Sequence, residues 1–316
     1  IMSENNIQIH QKMDSLLSEI SKKVIGQNIL IRDTIIALFA RWHILIEWAP
    51  GLAKTLTVDS LAKTLDLDFK RIQFTPDLLP SDLIWSKIYN PENHSFFVKK
   101  WPLFSNFVLA DEINRAPSKV QSALLEAMAE KQISIWEETF SLDSPFIVLA
   151  TQNPIEQEWT FNLPEAQLDR FLLKTIVSYP TQKEEIEILK RIWDIQNVTL
   201  NSILNKSDIS EIQDIVEKIY VDDNIFTYIK DIVYYTRLKK TPIAKYLSYW
   251  ISPRGSIAIL KSAKAYAFLQ KRNFVIPEDI KEVVFPCLRH RIALNYEAIA
   301  DWIQVDEIIK NILDNV

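Results

Sequence analysis

One junction constrains the fold of this chain more than any other: a short apolar run that leads directly into a loop carrying lysine and threonine. Residues 43–47 have the sequence HILIE, and residues 48–55 follow as WAPGLAKT. A loop between a strand and a helix N-terminus binds phosphate through its backbone N–H groups. A lysine there reaches the β- and γ-phosphates, and a neighbouring hydroxyl takes a magnesium site. We therefore predict phosphate binding by Lys54 and Mg²⁺ binding by Thr55, against the alternative of an ordinary loop with a solvated lysine.

A second apolar run, residues 107–110 (FVLA), ends in Asp111 and Glu112. A carboxylate at a strand end can hold Mg²⁺, and its neighbour can polarise an attacking water. Taken alone, the pair is more simply explained as a strand exit with two solvated acids. Following a phosphate loop, it favours hydrolysis of a nucleoside triphosphate.

Three further polar residues are candidates for the same chemistry. Asn153 follows the apolar run 145–150 and could orient the water, although Asn-Pro is also a common turn pair. Arg170 precedes another apolar run and suits stabilisation of a transferring phosphoryl group, although a surface ion pair with Asp169 is an alternative. Arg254 lies in the first turn of a predicted helix, where a cation opposes the helix dipole, so either a phosphate contact or simple exposure explains it.

Composition excludes several classes of protein. The formal net charge of −5 disfavours a general nucleic-acid binder, which usually has a basic face, although a local basic patch stays open. The single cysteine, Cys287, excludes an intrachain disulfide and a cysteine-rich metal site. The most apolar stretch, residues 29–48, contains charged residues and does not predict a membrane span. Since the start is polar and lacks a basic region, we expect no signal peptide and a cytoplasmic protein.

The sequence predicts two domains that differ in secondary structure. From 43 to about 180, short apolar runs alternate with helix-like segments, which predicts a parallel sheet covered on both faces. Residues 77–104 interrupt this alternation with a short helix and a hairpin, and residues 132–142 predict a second hairpin. Beyond 180 the pattern is helical. We therefore predict an α/β nucleotide-binding domain at 1–180 and an all-helical lid domain at 181–316.

Several long stretches together resemble the MoxR family of AAA+ ATPases. They are residues 68–82 (DFKRIQFTPDLLPSD), 109–117 (LADEINRAP), 150–157 (ATQNPIEQ) and 163–171 (LPEAQLDRF). The similarity extends from residue 24 to residue 309. It implies an αβα P-loop AAA+ domain with a helix-2 insertion at about 77–104, a helical lid, and a homo-oligomeric ring, expected to be a hexamer.

The resemblance also assigns roles to individual residues. Lys54 and Thr55 match the Walker A pair, Asp111 and Glu112 the Walker B pair, with Thr55 and Asp111 as the Mg²⁺ ligands. Asn153 matches sensor 1, Arg254 sensor 2, and Arg170 the arginine finger offered to the next subunit's ATP. The remaining cofactor-binding residues form the segment beside the adenine and the phosphate loop: Val24, Ile25, Gly26, Trp48, Ala49, Pro50, Gly51, Leu52 and Ala53.

The family resemblance implies an ATP hydrolase that remodels or assembles a partner protein, in chaperone-like fashion or for metal insertion. It implies a von Willebrand A domain protein as a partner, besides an unknown protein client. We expect ATP to lie between Lys54, the lid with Arg254 and the neighbour's Arg170. Two alternatives are a nucleotide-insensitive scaffold with a disabled loop and a DNA-dependent or chelatase-like motor, for which Lys99 and Lys100 on the hairpin permit DNA contact.

Glycine is rare in this chain and tryptophan is abundant. There are 3 glycines, about 1% against an average near 7%, and 9 tryptophans. Eight tryptophans stand where the family usually has glycine, namely Trp42, Trp48, Trp85, Trp101, Trp136, Trp159, Trp250 and Trp302. We hypothesise that the codons there are UGA, which some bacterial lineages translate as glycine. An indole at position 48 requires burial, and any tryptophan with φ > 0 adds about 1–2 kcal/mol of strain.

Overall fold

The computed structural model describes residues 4–48, 54–90, 95–100, 102–135, 138–153 and 160–316. The predicted loop residues Ala49, Pro50, Gly51, Leu52 and Ala53 lie outside this part of the chain. Three of the eight tryptophans, at positions 101, 136 and 159, also lie outside it.

Five parallel strands form the central sheet, and four more strands form two hairpins. In chain order the strands are β1 (Ile44–Trp48), β2 (Phe69–Gln73), β3 (Trp85–Asn90), β4 (Ser95–Lys100), β5 (Phe107–Asp111), β6 (Gln132–Ile135), β7 (Glu138–Ser141), β8 (Ile147–Gln152) and β9 (Leu173–Val177). The order in the sheet is β2-β5-β8-β1-β9, whereas β3 pairs with β4 and β6 pairs with β7. Both predicted hairpins are therefore present.

Helices precede, cover and follow this sheet. They are α1 (Glu4–Ser21), α2 (Asn28–Phe39), α3 (Lys54–Thr64), α4 (Pro80–Ile84), α5 (Ser118–Glu130), α6 (Glu165–Leu168), α7 (Gln182–Asn197), α8 (Lys206–Glu217), α9 (Asp223–Tyr235), α10 (Pro253–Leu269), α11 (Pro277–Leu288), α12 (Tyr296–Ala300) and α13 (Val305–Asn315).

Alternating side chains of the central strands fill two separate cores. Ile44 and Ile46 of β1 belong to one hydrophobic cluster, and Leu45 belongs to the other. This period of two is what a strand buried on both faces produces. All five residues of β5 are buried, so its apolar run predicts the sheet centre correctly. The prediction of an α/β parallel-sheet fold followed by helices is confirmed.

Helices α2 and α11 pack against the sheet, and both contact β9. Within the helical part, α10 and α11 make the most extensive helix pair. Side chains of α10 and α11 belong to the same hydrophobic cluster as Ile44 and Ile46 of β1. The boundary at residue 180 between two domains stays a prediction. In the part of the chain that the structure describes, we find no helix of the length and apolarity needed to cross a membrane.

Some element bounds differ from those that the sequence pattern predicts. The pattern predicts helices at 164–171 and 277–285. The first is only the single turn α6, and α12 is not predicted. The second, α11, continues past Pro286 to Leu288. A proline in a helix interior loses one backbone hydrogen bond. Here the last turn is retained because Cys287 and Leu288 are fully buried in the core.

Candidate active site

The predicted phosphate and magnesium residues meet at the carboxyl edge of the sheet. Strand β8 pairs with β1 on one side and with β5 on the other, all parallel. Asn153 directly follows β8, between the end of β1, which leads to Lys54, and the end of β5 at Asp111. In open α/β sheets this edge is where ligands bind. The order of the strands thus brings Asn153, Lys54 and Asp111 to neighbouring positions along this edge.

The Asp111 carboxylate is buried and is held by three donors. Lys54 Nζ forms an ion pair with its Oδ1, and Thr151 Oγ1 donates to the same oxygen at 2.6 Å. Arg71 Nη2 donates to Oδ2 at 2.6 Å. Burial by itself would raise the pKa of Asp111, but the hydrogen bonds from Lys54, Thr151 and Arg71 outweigh it and lower that pKa. Asp111 is therefore anionic at neutral pH.

The backbone conformation of Glu112 is unusual for a residue that carries a side chain. Its φ is 57° and its ψ 50°, the left-handed region that side-chain-bearing residues seldom adopt. Its N–H donates to Thr151 Oγ1 at 2.9 Å. Its carboxylate accepts from Gln73 Nε2 at 2.9 Å and pairs with Arg115 Nε at 2.9 Å. Strained residues of this kind concentrate at functional sites, where the surroundings hold them.

Sequence reasoning missed two residues of this network, Arg71 and Gln73. They are two apart on β2 and so point to the same side of the sheet, and Arg71 Nη2 donates to Gln73 Oε1 at 2.7 Å. Parallel pairing with β5 places Gln73 opposite Asp111. The alternation along β2 was visible in the sequence, but the register that aims it at Asp111 is a long-range property.

The residues at this edge suit Mg²⁺. This ion prefers hard oxygen ligands, with few protein ligands and several retained waters. Asp111 offers a buried carboxylate, and Thr55 offers a half-buried hydroxyl in the first turn of α3. Three donors, of which Lys54 and Arg71 are cations, already converge on the Asp111 carboxylate. This carboxylate is therefore an anion that is stabilised by nearby positive charge. The donor chemistry therefore fits the ion, with Thr55 and Asp111 as the residues that would hold it.

The segment predicted beside the adenine adjoins α7. Val24 is buried, and Ile25 is half-buried. Gly26 has a φ of +75°, which favours glycine at this position. A Cβ there would lie 2.9 Å from Cδ of Glu184, which is the end of a flexible side chain and can move away. Glu184 in turn accepts from the N–H of Thr181, at 2.7 Å, in the capping box of α7.

Trp48, at the first glycine position of the loop, packs inward. Its side chain is buried at the end of β1, as the expected need for burial predicts, but the indole Nε1 has no hydrogen-bond partner among the described residues. A buried unsatisfied donor costs about 1–3 kcal/mol. The described residues around the indole thus provide apolar contact but no acceptor.

Among the described tryptophans of the anomalous set, only Trp302 has a positive φ, of 57°. It directly follows the end of α12, and the N–H of Ile303 bonds the carbonyl of Ala298 at 2.9 Å. This is the Schellman arrangement, in which glycine commonly occupies the position of Trp302. The expected backbone strain thus applies to Trp302, and not to Trp42, Trp48 or Trp250.

The two predicted arginines lie together at the opposite edge of the sheet. Arg170 and Arg254 line one pocket of about 210 Å³, together with residues 41–43, which precede β1, and the end of α5. Arg170 Nη1 donates to the carbonyl of Leu125 at 2.8 Å. The pocket lies at the start of β1, and the rise of the strand from Ile44 to Trp48 is about 13 Å. Arg254 thus shares a pocket with Arg170, and its expected role toward ATP stays a prediction.

The pocket is rich in positive charge. Burial, followed by the nearby charges of Arg41 and Lys261, lowers the pKa of Lys131, which also lines it. Asp169 does not neutralise Arg170, contrary to the ion-pair alternative. It instead pairs with the buried Arg291, its Oδ1 lying 2.7 Å from Nε. A cationic pocket of this kind favours an anion supplied from outside the chain.

Comparison with known proteins first defines the class. Residues 43–173 match the family model described as ATPase family associated with various cellular activities (AAA), and residues 239–312 match the AAA lid domain. A crystal structure from Cytophaga hutchinsonii, of a protein provisionally assigned as an ATPase, superposes with a TM-score of 0.94 at 47% identity. The match covers 99% of this chain and 96% of that one. The fold and site are those of an AAA+ ATPase.

Two curated relatives narrow the class to a family. Chaperone MoxR1 of Mycobacterium tuberculosis is 41% identical over 308 residues, which cover 96% of this chain and 81% of the relative. The Bacillus subtilis protein YeaC, whose function is uncharacterised, is 42% identical over 98% of this chain and 95% of its own length. The chain belongs to the MoxR family of AAA+ ATPases.

Proposed function

We propose that this chain hydrolyses ATP and uses the cycle to remodel a partner protein. The observation that carries the proposal is the network around Asp111, in which the loop lysine, the acid pair and Thr151 are hydrogen-bonded at the edge where Asn153 ends β8. In this assignment Lys54 binds the phosphates, and Thr55 and Asp111 hold Mg²⁺. Mg²⁺, when bound, neutralises charge on the β- and γ-phosphates.

Glu112 is the proposed base for the attacking water. Its carboxylate is held through Oε2 by Gln73 and Arg115, which fixes it beside the end of β5. Asn153, at the adjacent strand end, is proposed to orient that water. Polar groups held in place before the reaction stabilise developing charge without reorganisation.

The experiment is phosphate release from MgATP by three forms of the chain. Glu112→Gln keeps size and removes the base, so we expect turnover to fall by about 100-fold or more with nucleotide binding retained. Lys54→Ala should lose both binding and turnover. If Glu112→Gln turns over at the parent rate, Glu112 is not the base.

We propose further that the site is completed between copies of the chain. Arg170 and Arg254 share a pocket at the edge of the sheet opposite to Lys54, so each copy can offer both arginines only to a neighbour's ATP. This supports a homo-oligomeric ring, with a hexamer as the expected size. Mixing Lys54→Ala with Arg170→Ala provides the test, because each variant retains the half that the other lacks. Turnover should reappear in the mixture, and its absence would place the arginines elsewhere in the cycle.

A chaperone-like role in assembly or metal insertion, with a von Willebrand A domain protein as a partner, is the proposed use of the ATPase cycle. One relative carries the name chaperone, which supports this role. A gene for a von Willebrand A domain protein beside this one would support that partner. Co-purification of the two proteins in an ATP-dependent manner is the direct test.

The scaffold alternative rests on Trp48, whose buried indole occupies the first loop position. Turnover by the Trp48→Gly form beside the parent discriminates between the two. If neither form turns over ATP and Glu112→Gln changes nothing, the chain is a scaffold. The DNA-dependent alternative predicts stimulation of turnover by duplex or single-stranded DNA, which the net charge of −5 disfavours.

A further inference from the structure

Helix α7 carries an apolar stripe that the described residues leave exposed. Ile186, Leu189 and Trp193 are spaced three and four apart, so they lie on one face of the helix. Their exposed fractions are 53%, 68% and 76%. Of the α7 side chains that the structure describes, none is buried. An exposed stripe of this kind, with tryptophan in it, is typical of an interaction surface.

The stripe is held in a fixed orientation. The capping box at Thr181 and Glu184 closes the start of α7. Farther along, Arg191 Nη2 donates to the carbonyl of Lys22 at 2.6 Å. The capping box is internal to α7, and the Arg191 contact attaches this side of the helix to the segment that follows α1. The apolar stripe lies on the opposite side of the helix.

An apolar groove lies elsewhere on the same chain, between α9 and α10. Its volume is about 320 Å³, and its walls include Phe226, Tyr234, Pro253 and Ile257. Phe226 and Ile257 are 46% and 45% exposed, so the groove is open to solvent. Since stripe and groove are both apolar and both uncovered, each lacks a partner of the same chemistry.

The two surfaces adjoin the two halves of the proposed ATP site. Helix α7 begins five residues after Val177, which pairs with Trp48 at the carboxyl edge of the sheet. The groove includes Pro253, the neighbour in sequence of Arg254 in the arginine pocket. If a copy presents its arginines to the next copy's phosphate edge, the groove beside Pro253 approaches the edge at which the next copy's α7 begins.

We propose that the α7 stripe of one copy docks into the α9–α10 groove of the next copy, head to tail. This inference rests on the proposed completion of the ATP site between copies. The partner is a second copy because the stripe and the groove flank the two halves of a site that one copy leaves incomplete. A contact between different surfaces repeats from copy to copy and closes into a ring when the rotation permits.

The test is disulfide cross-linking between copies that each carry one new cysteine. Leu189→Cys places a thiol in the stripe and Ile257→Cys places one in the groove wall. The natural Cys287 is fully buried, and burial raises its pKa to about 12, so it does not contribute. Under a mild oxidant, the mixture of both variants should give a covalent dimer. A chain with both substitutions should give a ladder of higher species.

The matched control is Ile299→Cys, because Ile299 is 64% exposed and apolar but lies on α12, away from the groove. It should not cross-link to Leu189→Cys. Dimers formed by Leu189→Cys alone, equal cross-linking to Ile299→Cys, or a chain that stays monomeric with and without MgATP would each overturn the proposal. A partner protein that occupies the stripe while no cross-link forms between copies would overturn it as well.

A second measurement separates docking from catalysis. Replacing Ile186 and Leu189 together by serine leaves the buried core intact, so thermal unfolding should be unchanged. Self-association in sedimentation velocity should weaken on the order of 100-fold, from the loss of two buried aliphatic side chains. If the cross-link forms and MgATP is not hydrolysed, docking stands and the proposed function fails. If MgATP is hydrolysed by assembled chains that do not cross-link, docking fails alone.

Discussion

Replacing Trp302 by glycine should stabilise this protein, which is unusual for the loss of a large side chain. Trp302 has a φ of 57° and an 84% exposed side chain, so its indole contributes little packing. A side chain in the left-handed region costs roughly 1–2 kcal/mol of stability, which the glycine variant regains. Glycine also makes the unfolded chain more flexible, which lowers stability by about 0.5–1 kcal/mol. The net expected gain is about 1 kcal/mol in the free energy of unfolding.

Two control variants separate the backbone effect from the side-chain effect. Trp302→Ala removes the indole but keeps the strain, so its stability should stay close to that of the parent. Trp250→Gly places glycine where φ is not positive and the side chain is 59% exposed, so it should destabilise by about 0.5–1 kcal/mol. Equilibrium urea unfolding followed by circular dichroism, with linear extrapolation to water, measures all three. If Trp302→Gly is no more stable than Trp302→Ala, the strain argument is wrong.

Three further outcomes follow from groups already described. His43 is fully buried, with Nδ1 accepting from the N–H of Val148 at 3.0 Å, and burial lowers its pKa to about 4. The unfolded chain, with a pKa near 6.5, binds this proton first, so His43 alone should lower stability by about 2 kcal/mol between pH 7 and pH 5. Burial also lowers the pKa of His290, which adds a slope of its own, so His43→Gln should lose only the share of His43 in urea unfolding. Asp169→Asn leaves Arg291 buried without its counter-charge and should destabilise the protein by about 3–5 kcal/mol in the same assay. Arg254 is exposed, and its Nη1 lies 3.9 Å from Oδ2 of Asp169, so Arg254→Ala should change stability by less than about 1 kcal/mol. An unchanged slope in His43→Gln, or equal effects of Asp169→Asn and Arg254→Ala, would contradict these assignments.

The sheet was predictable because its information is local. The apolar runs at 107–110 in β5 and 147–150 in β8 are what strands buried on both faces require. The residues of the carboxyl edge followed from the same logic, because parallel strands end together. Lys54 and Asp111 could therefore be assigned to the same edge from the sequence, although their ion pair is seen only in the structure.

What the sequence could not show depends on contacts between distant segments. The role of Arg71 comes from the register of β2 against β5, which no local pattern contains. The position of Arg254 depends on how α10 packs against α11 and α2, so no local pattern contains its placement beside Arg170. Helix α12 is only five residues long, too short for a periodic pattern.

The central claim is that the edge formed by Lys54, Asp111 and Glu112 binds and cleaves ATP. The most direct test is MgATP binding and turnover by the chain with glycine at position 48, with Lys54→Ala in the same background beside it. The account predicts binding and phosphate release by the first protein and loss of both in the second. A folded Trp48→Gly protein that neither binds nor hydrolyses MgATP would contradict it.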